Sequence, residues 1–132
     1  NSLVQPGQER ILLVDDEESI LTMAKRMLEV LGYNVISESN GIKAFETFKS
    51  NPAQFDLLMT DQSMPDMSGS ELIAEVLKVR PDMPTILCSG YSTKVSEENF
   101  TDKSFSLYLG KPYSKNLLSE AVRKVLDGNV KG

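Results

Sequence analysis

The sequence has 132 residues, of which 40% are hydrophobic and 25% are charged, and its formal net charge is −5. This length and composition are typical of one soluble globular domain, and the negative charge argues against nucleic acid or an anionic membrane as a direct partner. The chain has no histidine and a single cysteine, Cys88, which excludes histidine-dependent nucleophiles, histidine-bound zinc and an internal disulfide. Carboxylate, hydroxyl and lysine chemistry remain, with Mg²⁺ as the favoured kind of metal, and the lone cysteine favours a reducing cytoplasm.

The first half of the chain alternates short apolar runs with helical patterns. In chain order it predicts a strand at 11–14, a helix at 19–31, a strand at 33–37, a helix that begins at 41 and ends before Pro52, and a strand at 55–61. The apolar positions expected to face the core are Ile20, Ala24, Met27, Leu28 and Leu31 in the first helix and Ile42, Phe45 and Phe48 in the second.

The second half repeats this alternation. It predicts a helix at 68–79, a strand at 84–90, a weak helix at 91–103, a strand at 105–110 and a helix at 114–126. The apolar positions expected to face the core are Leu72, Ile73, Val76 and Leu77 in the first of these helices and Leu118, Ala121, Val122 and Val125 in the last.

The order of the elements predicts the fold class and the extent of the domain. Five almost continuously apolar strands that alternate with helices indicate an α/β fold, in which helices cover both faces of a parallel sheet. The domain is expected to span 10–127, with a polar N-terminal tail or linker at 1–9 and a C-terminal tail at 128–132. The chain does not begin with Met, which suggests that it was cut from a longer protein.

Polar side chains follow four of the predicted strands. Asp15 and Asp16 come directly after the first strand, Asp61 ends the third, Ser89 lies at the end of the fourth and Lys111 follows the fifth. Ligands bind at the carboxyl ends of strands in open parallel sheets, so these side chains are expected to converge. Three carboxylates would repel each other without a cation, and oxygen ligands suit Mg²⁺. A lysine and a hydroxyl at the same edge are suited to orienting a phosphoryl group.

Each of these residues also has a simpler interpretation when it is taken alone. Paired acids after a strand often cap the next helix, where the helix dipole favours negative charge. Asp61 could be a turn residue, Lys111 a solvated surface lysine and Ser89 a turn former. Only their joint arrangement at four strand ends favours a site.

Four segments in this order resemble the receiver domain of two-component response regulators: "ILLVDDEES", "LLMTDQSMPDMSG", "ILCSGYS" and "YLGKPY". The resemblance covers roughly 10–126 and implies the flavodoxin-like fold, with strand order 2-1-3-4-5. It implies a phosphoacceptor signalling domain that is not an enzyme in its own right, although it assists its own phosphorylation and dephosphorylation. The phosphoryl group would reach Asp61 from a phosphohistidine on a histidine kinase or a histidine phosphotransfer domain.

The resemblance also implies a set of metal ligands. Asp16 and Asp61 would bind Mg²⁺ directly, Asp15 would act largely through a bound water, and the backbone carbonyl of Ser63 would complete the protein ligands. The side chains of Ser63 and Tyr91 would flank the path of the water that hydrolyses the acyl phosphate.

Other residues would respond to the phosphoryl group. Lys111 would pair with it, Ser89 would donate a hydrogen bond to it, and Tyr108 matches an aromatic residue that changes rotamer on activation. The bond between Lys111 and Pro112 would be cis. Many relatives have Thr where this chain has Ser89, so the hydroxyl is kept and a methyl group is lost. A homodimer could form through the face made by the fourth helix, the fifth strand and the fifth helix.

Two other classes of protein share parts of this chemistry, but the chain lacks the motifs that they need. A phosphohydrolase of the haloacid dehalogenase type also uses an Asp nucleophile, Mg²⁺ and a lysine, but its D-x-D arrangement is missing from "DDEES". A flavin or nucleotide binder would need a phosphate loop after the first strand, where four acids would repel the phosphate. The residues of these motifs resemble the receivers of hybrid sensor histidine kinases more than those of DNA-binding regulators. The parent protein of such a receiver could be membrane-anchored. A stand-alone receiver or phosphorelay intermediate is the alternative.

Overall fold

A computed structural model describes residues 8–90 and 105–128 of the chain. Its five strands are β1 (Arg10–Val14), β2 (Asn34–Glu38), β3 (Leu57–Asp61), β4 (Thr85–Ser89) and β5 (Leu107–Gly110). All pair in parallel, in the order β2-β1-β3-β4-β5. The predicted flavodoxin-like α/β fold and its strand order are therefore confirmed.

The helices in the described residues are α1 (Glu18–Val30), α2 (Gly41–Ser50), α3 (Gly69–Val79) and α4 (Lys115–Leu126). The prediction that the second helix ends before Pro52 is confirmed: α2 ends at Ser50, and a short 3-10 helix (Pro52–Gln54) follows it. Proline lacks the amide hydrogen that would continue the α-helix and disfavours helical geometry in the residue before it. The weak helix predicted at 91–103 lies outside the described residues, as does Tyr91.

The sheet separates two apolar layers. One lies between the sheet and the pair α1 and α4, and the other lies between the sheet and the pair α2 and α3. β1 shows how one strand serves both layers, since Ile11 and Leu13 belong to the first layer and Leu12 and Val14 to the second. Burial on both faces explains why β1, β3 and β4 are almost continuously apolar.

Most of the predicted core positions are buried, but Ile42 is not. Its side chain is 46% exposed, so the prediction that it faces the core is wrong. The buried positions of α2 are Gly41, Ala44 and Phe48, which follow helical spacing and include the predicted Phe48 but not Ile42. In α1, Ala24 and Leu28 are buried as predicted, while Ile20 is only partly buried and its neighbour Leu21 is buried instead.

Two local features determine where α1 ends and where α3 begins. Gly32 follows the C-cap of α1 with φ of 101°, a left-handed conformation that favours glycine and ends the helix. The N-terminus of α3 carries a capping box, in which the Ser68 side chain accepts a hydrogen bond from the Glu71 amide while the Glu71 side chain accepts one from the Ser68 amide. No helix within 8–90 and 105–128 has the length and apolar character needed to cross a membrane.

Candidate functional site

The carboxyl edge of the sheet brings together the polar residues predicted to meet there. β1 leads into Asp15, β3 ends at Asp61, and β4 ends at Ser89, which is only 2% exposed. Lys111 follows β5, and its amide donates a hydrogen bond of 2.8 Å to the Ser89 carbonyl. Parallel pairing thus places residues that are far apart in sequence at one edge.

Lys111 forms the centre of the charged cluster. Its Nζ lies 2.8 Å from Asp61 Oδ1 and 3.1 Å from Asp15 Oδ2, and its side chain is 15% exposed. The bond between Lys111 and Pro112 is cis, as the resemblance implied. The sequence did not predict that Lys111 would bridge both carboxylates, because two residues that approach across the sheet leave no local pattern.

Three carboxylates lie close enough to share a metal ion. One oxygen from each of Asp15, Asp16 and Asp61 lies within 4.8 Å of the other two. Asp15 and Asp61 are buried and Asp16 is exposed, so the cluster opens to solvent on one side. Hard oxygen donors with an open side are suited to Mg²⁺, which keeps several of its waters. The donor set therefore fits this metal.

The charges of the cluster are only partly balanced. Burial raises the pKa of Asp61, and the nearby Asp15 and Asp16 carboxylates raise it further, while the hydrogen bond from Lys111 acts in the opposite direction. Burial alone would lower the pKa of Lys111, but its contacts with Asp61 and Asp15 outweigh burial and raise it. The cluster therefore has one charged lysine for three carboxylates, and the charged form of Asp61 is the one that its surroundings disfavour.

Ser89 and Tyr108 lie on the same face of the sheet. Leu87 pairs with Tyr108 across β4 and β5, and both contact the layer under α2 and α3. Ser89 is two residues beyond Leu87 and therefore faces the same way. The Tyr108 side chain is partly buried, and its ring centroid lies 6.4 Å from that of Phe105. Cys88, between Leu87 and Ser89 in sequence, faces the opposite layer under α1 and α4, and burial raises the pKa of its thiol.

The loop between β3 and α3 carries Ser63, which is exposed. Asp66 in this loop has φ of 69°, an uncommon left-handed conformation for a residue with a side chain. The loop ends at Gly69, where an added Cβ would lie 2.3 Å from the Asp61 carbonyl oxygen. Sequence reasoning included Gly69 in its motif without assigning it a role, although a glycine at a helix start after a loop can signal such a close approach.

An apolar groove runs along α1 beside Lys111. It has a volume of about 350 Å³, and its lining includes Ile20, Met23, Pro112 and Tyr113. The Met23 side chain is 46% exposed. An apolar surface next to a charged site marks a place where another molecule can dock.

The chain matches one family along most of its length. The sequence model described as "Response regulator receiver domain" matches residues 11–123. The receiver protein CpdR of Brucella abortus is 30% identical over 118 residues, which are 89% of this chain and 97% of CpdR.

Two further proteins extend the comparison. The sensor kinase CckA of Brucella abortus is 31% identical over 121 residues, which are 92% of this chain and 13% of CckA. The chain thus spans only a small part of this larger relative. The structure of the response regulator TrrA from Thermotoga maritima, solved in complex with Mg²⁺ and BeF, has a TM-score of 0.80 and 32% identity, covering 89% of this chain and 99% of TrrA.

Proposed function

The chain belongs to the family of response regulator receiver domains, and from this premise we propose that Asp61 is its phosphoryl acceptor. The family is one of two-component signalling domains, so the haloacid dehalogenase and flavin-binding alternatives are set aside. The observation that carries the proposal is the position of Asp61 at the end of the central strand β3. There its carboxylate contacts Lys111 at 2.8 Å and shares a possible cation site with two other acids.

The transfer is a nucleophilic displacement at phosphorus. A carboxylate oxygen of Asp61 attacks the phosphorus of a phosphohistidine on the donor protein. The new P–O bond forms as the P–N bond breaks, and the leaving imidazole keeps the electron pair and takes up a proton. Lys111 then pairs with the phosphoryl oxygens, and Ser89 donates its hydroxyl hydrogen to one of them.

The acidic cluster provides the ligands for Mg²⁺ in this proposal. Asp16, Asp61 and the backbone carbonyl of Ser63 would hold the ion directly, and Asp15 would act through a water molecule. When Mg²⁺ is bound, it offsets the negative charge of the carboxylates and of the phosphoryl oxygens. The raised pKa of Asp61 supports this assignment, because burial and, to a smaller extent, the Asp15 and Asp16 carboxylates disfavour its charged form when no cation is bound.

The groove along α1 is the proposed docking surface for the donor. A histidine kinase or histidine phosphotransfer domain must bring a phosphohistidine to Asp61, and the apolar groove lies next to Lys111. Exposed Met23 supports this assignment, since an unbranched, flexible side chain adapts to a partner surface.

Phosphorylation is proposed to act through Ser89 and Tyr108. Movement of Ser89 toward the phosphoryl group would open space on the face that it shares with Tyr108, whose ring could then turn inward. The mechanism is a shift between two packings of similar energy. A homodimer through the face that includes β5 and α4 stays a proposal.

The setting of the domain is also proposed rather than established. Similarity to the sensor kinase CckA supports a hybrid kinase as the parent protein, and similarity to CpdR supports a stand-alone receiver as the alternative. A cytoplasmic location is supported by the single, buried cysteine. The domain limits 10–127, with tails at 1–9 and 128–132, stay a prediction. Reading the coding sequence on both sides of this segment tests the parent protein.

The acceptor is tested by chemical phosphorylation. With acetyl phosphate and Mg²⁺, the chain should gain one phosphoryl group on Asp61, measured by intact mass and peptide mapping. The product is an acyl phosphate, so hydroxylamine should remove it. Asp61→Asn should stay unlabelled, and Asp66→Asn is the matched control that should label like the wild type. Hydroxylamine-sensitive labelling that persists in Asp61→Asn would place the acceptor elsewhere.

A further inference from the structure

We propose that the Gln62 side chain is a positioning residue that closes the base of the loop between β3 and α3 and thereby sets the Mg²⁺ affinity of the site. The inference rests on the proposed function, because it takes the Ser63 carbonyl as one of the metal ligands. Gln62 lies between Asp61, the proposed acceptor, and Ser63, whose carbonyl is the proposed ligand.

Three hydrogen bonds meet at Gln62. Its amide donates to the Cys88 carbonyl at 2.8 Å, which ties it to β4. Its own carbonyl accepts from the Gly69 amide at 3.0 Å, and its side-chain Oε1 accepts from the Ser70 amide at 2.8 Å. The two acceptors of one residue thus hold the first two amides of α3. Gln62 precedes the six-residue loop 63–68 and also binds the two residues that follow it, so it holds both ends of the loop together.

The loop that Gln62 closes contains the carbonyl that would reach the metal. Within it, the Met67 amide donates to the Pro65 carbonyl at 2.7 Å, and Asp66 has φ of 69°. A turn with an uncommon conformation keeps its shape only when its surroundings hold it. Because Ser63 directly follows Gln62, fixing Gln62 to α3 restricts the direction of the Ser63 carbonyl.

Magnesium is sensitive to such restriction. It requires near-ideal octahedral geometry with oxygen distances of about 2.0–2.1 Å, so a small displacement of one ligand weakens binding. Residues that orient metal ligands typically change metal affinity by about 10- to 100-fold when they are replaced. The Gln62 side chain is suited to this role because its oxygen is held by a helix amide on the far side of the loop.

A simpler role for Gln62 is to cap α3. The Ser70 amide is one of the donors that have no partner inside the helix, and the Gln62 oxygen satisfies it. Capping alone would affect stability without affecting the metal. The two roles therefore differ in their effect on Mg²⁺ affinity, measured on protein that remains folded.

The experiment compares Gln62→Met with Gln62→Glu by Mg²⁺ titration of the unphosphorylated chain, followed by the NMR signals of residues 15–16 and 61–63. Gln62→Met keeps the shape of the side chain but lacks the oxygen, and its Mg²⁺ affinity should fall by about 10-fold or more. Gln62→Glu keeps an acceptor, so its affinity should be at least that of the wild type. Exchange of the Ser70 amide hydrogen should be faster in Gln62→Met and slow again in Gln62→Glu.

Asn40→Ala is the matched control, because it removes a side-chain cap of the same kind from α2, where Asn40 accepts from the Lys43 amide at 2.7 Å. It should destabilise the protein and leave Mg²⁺ affinity unchanged. Should Gln62→Met fail to fold, Gln62→Ala provides the same measurement.

Three outcomes would overturn the inference. They are wild-type Mg²⁺ affinity in Gln62→Met, an equal loss of affinity in Asn40→Ala, and recovery in Gln62→Glu without slow exchange at Ser70, which would assign the recovery to charge. The proposed function fails separately, when the wild type itself shows no Mg²⁺ response at residues 15–16 and 61–63 or no labelling of Asp61.

Discussion

At the scale of single residues, the site is a problem of charge balance. Three carboxylates share an edge of the sheet with one lysine, whose Nζ contacts two of them. Lys111 thus compensates Asp15 and Asp61 in the metal-free protein. Asp16 is the exposed member of the cluster, so its carboxylate is the one left for a cation to recruit from the solvent side.

This arrangement makes Asp16 the residue whose removal separates metal binding from folding. Asp16→Ala should weaken Mg²⁺ binding by about 10-fold or more and change the free energy of unfolding by less than about 0.5 kcal/mol without metal, because the side chain is exposed. The NMR response of residues 61–63 to Mg²⁺ measures the affinity. Glu18→Gln, which removes an exposed acid outside the cluster, is the control. Equal Mg²⁺ affinity in Asp16→Ala and the wild type would mean that the paired acids cap the next helix and do not bind the metal.

At the scale of elements, the junction between β3 and α3 fixes the backbone of Asp61, the proposed acceptor. α3 starts so close to the end of β3 that a Cβ at Gly69 would lie 2.3 Å from the Asp61 carbonyl oxygen and 2.8 Å from Leu87 Cδ1. The Asp61 carbonyl also accepts a hydrogen bond of 3.0 Å from the Thr60 hydroxyl. The backbone of Asp61 is therefore held on several sides, while its carboxylate contacts Lys111.

Gly69→Ala should disturb this junction. The backbone of β3 cannot yield as a flexible side chain can, so α3 must shift, at an expected cost of about 1–3 kcal/mol in the free energy of unfolding. Labelling of Asp61 by acetyl phosphate should slow in the folded fraction. Gly110→Ala is the control, since its Cβ would meet no atom within 4 Å. A Gly69→Ala protein as stable as Gly110→Ala would contradict the close approach. Urea unfolding measures both variants.

The link between β4 and β5 is tested by Ser89→Ala. Without the hydroxyl, Asp61 should still accept a phosphoryl group, but the response at Tyr108 should weaken because nothing draws β4 toward the phosphoryl oxygens. NMR spectra with and without beryllofluoride, a phosphoryl mimic, measure the response in both proteins. Ser37→Ala is the control, because it deletes a hydroxyl on β2, at the opposite edge of the sheet from β5. An identical response at Tyr108 in the wild type and in Ser89→Ala would mean that Ser89 does not transmit the phosphorylation of Asp61 to Tyr108.

The elements also show what the sequence could predict. In α4, the four predicted core residues are all buried, because a regular apolar stripe needs no knowledge of the partner strand: Leu118, Ala121, Val122 and Val125. In α2, Ile42 was expected to be buried because its neighbour Gly41 has no side chain to mark the true stripe. Motif order predicted which strand ends meet. It could not predict the bridging contacts of Lys111 or the hydrogen bonds of Gln62, because these depend on distances between elements.

At the scale of the whole molecule, the edge opposite the site holds a second charged cluster. Arg123 in α4 donates two hydrogen bonds to Glu9, of 2.9 and 3.0 Å, one of 2.7 Å to Asp127 and one of 3.2 Å to the Tyr33 hydroxyl. Glu9 precedes β1 and Tyr33 precedes β2, so one arginine joins the last helix to the starts of two strands. The bidentate pair therefore joins the two ends of the described chain.

This contact predicts a pH-dependent stability. The hydrogen bond from Arg123 lowers the pKa of Glu9 below 4.5, so the carboxylate stabilises the fold above that pH and loses its contribution as the pH falls through the lowered pKa. Because Glu9 is 31% exposed and solvent screens the pair, Glu9→Gln should cost about 1 kcal/mol at pH 7. Urea unfolding should show this difference shrinking below pH 4.5 and in high salt. Glu120→Gln, on the exposed face of α4, should show little difference at either pH. A Glu9→Gln difference that stays constant from pH 7 to about pH 2.5 would mean that packing, rather than the ion pair, joins the two ends.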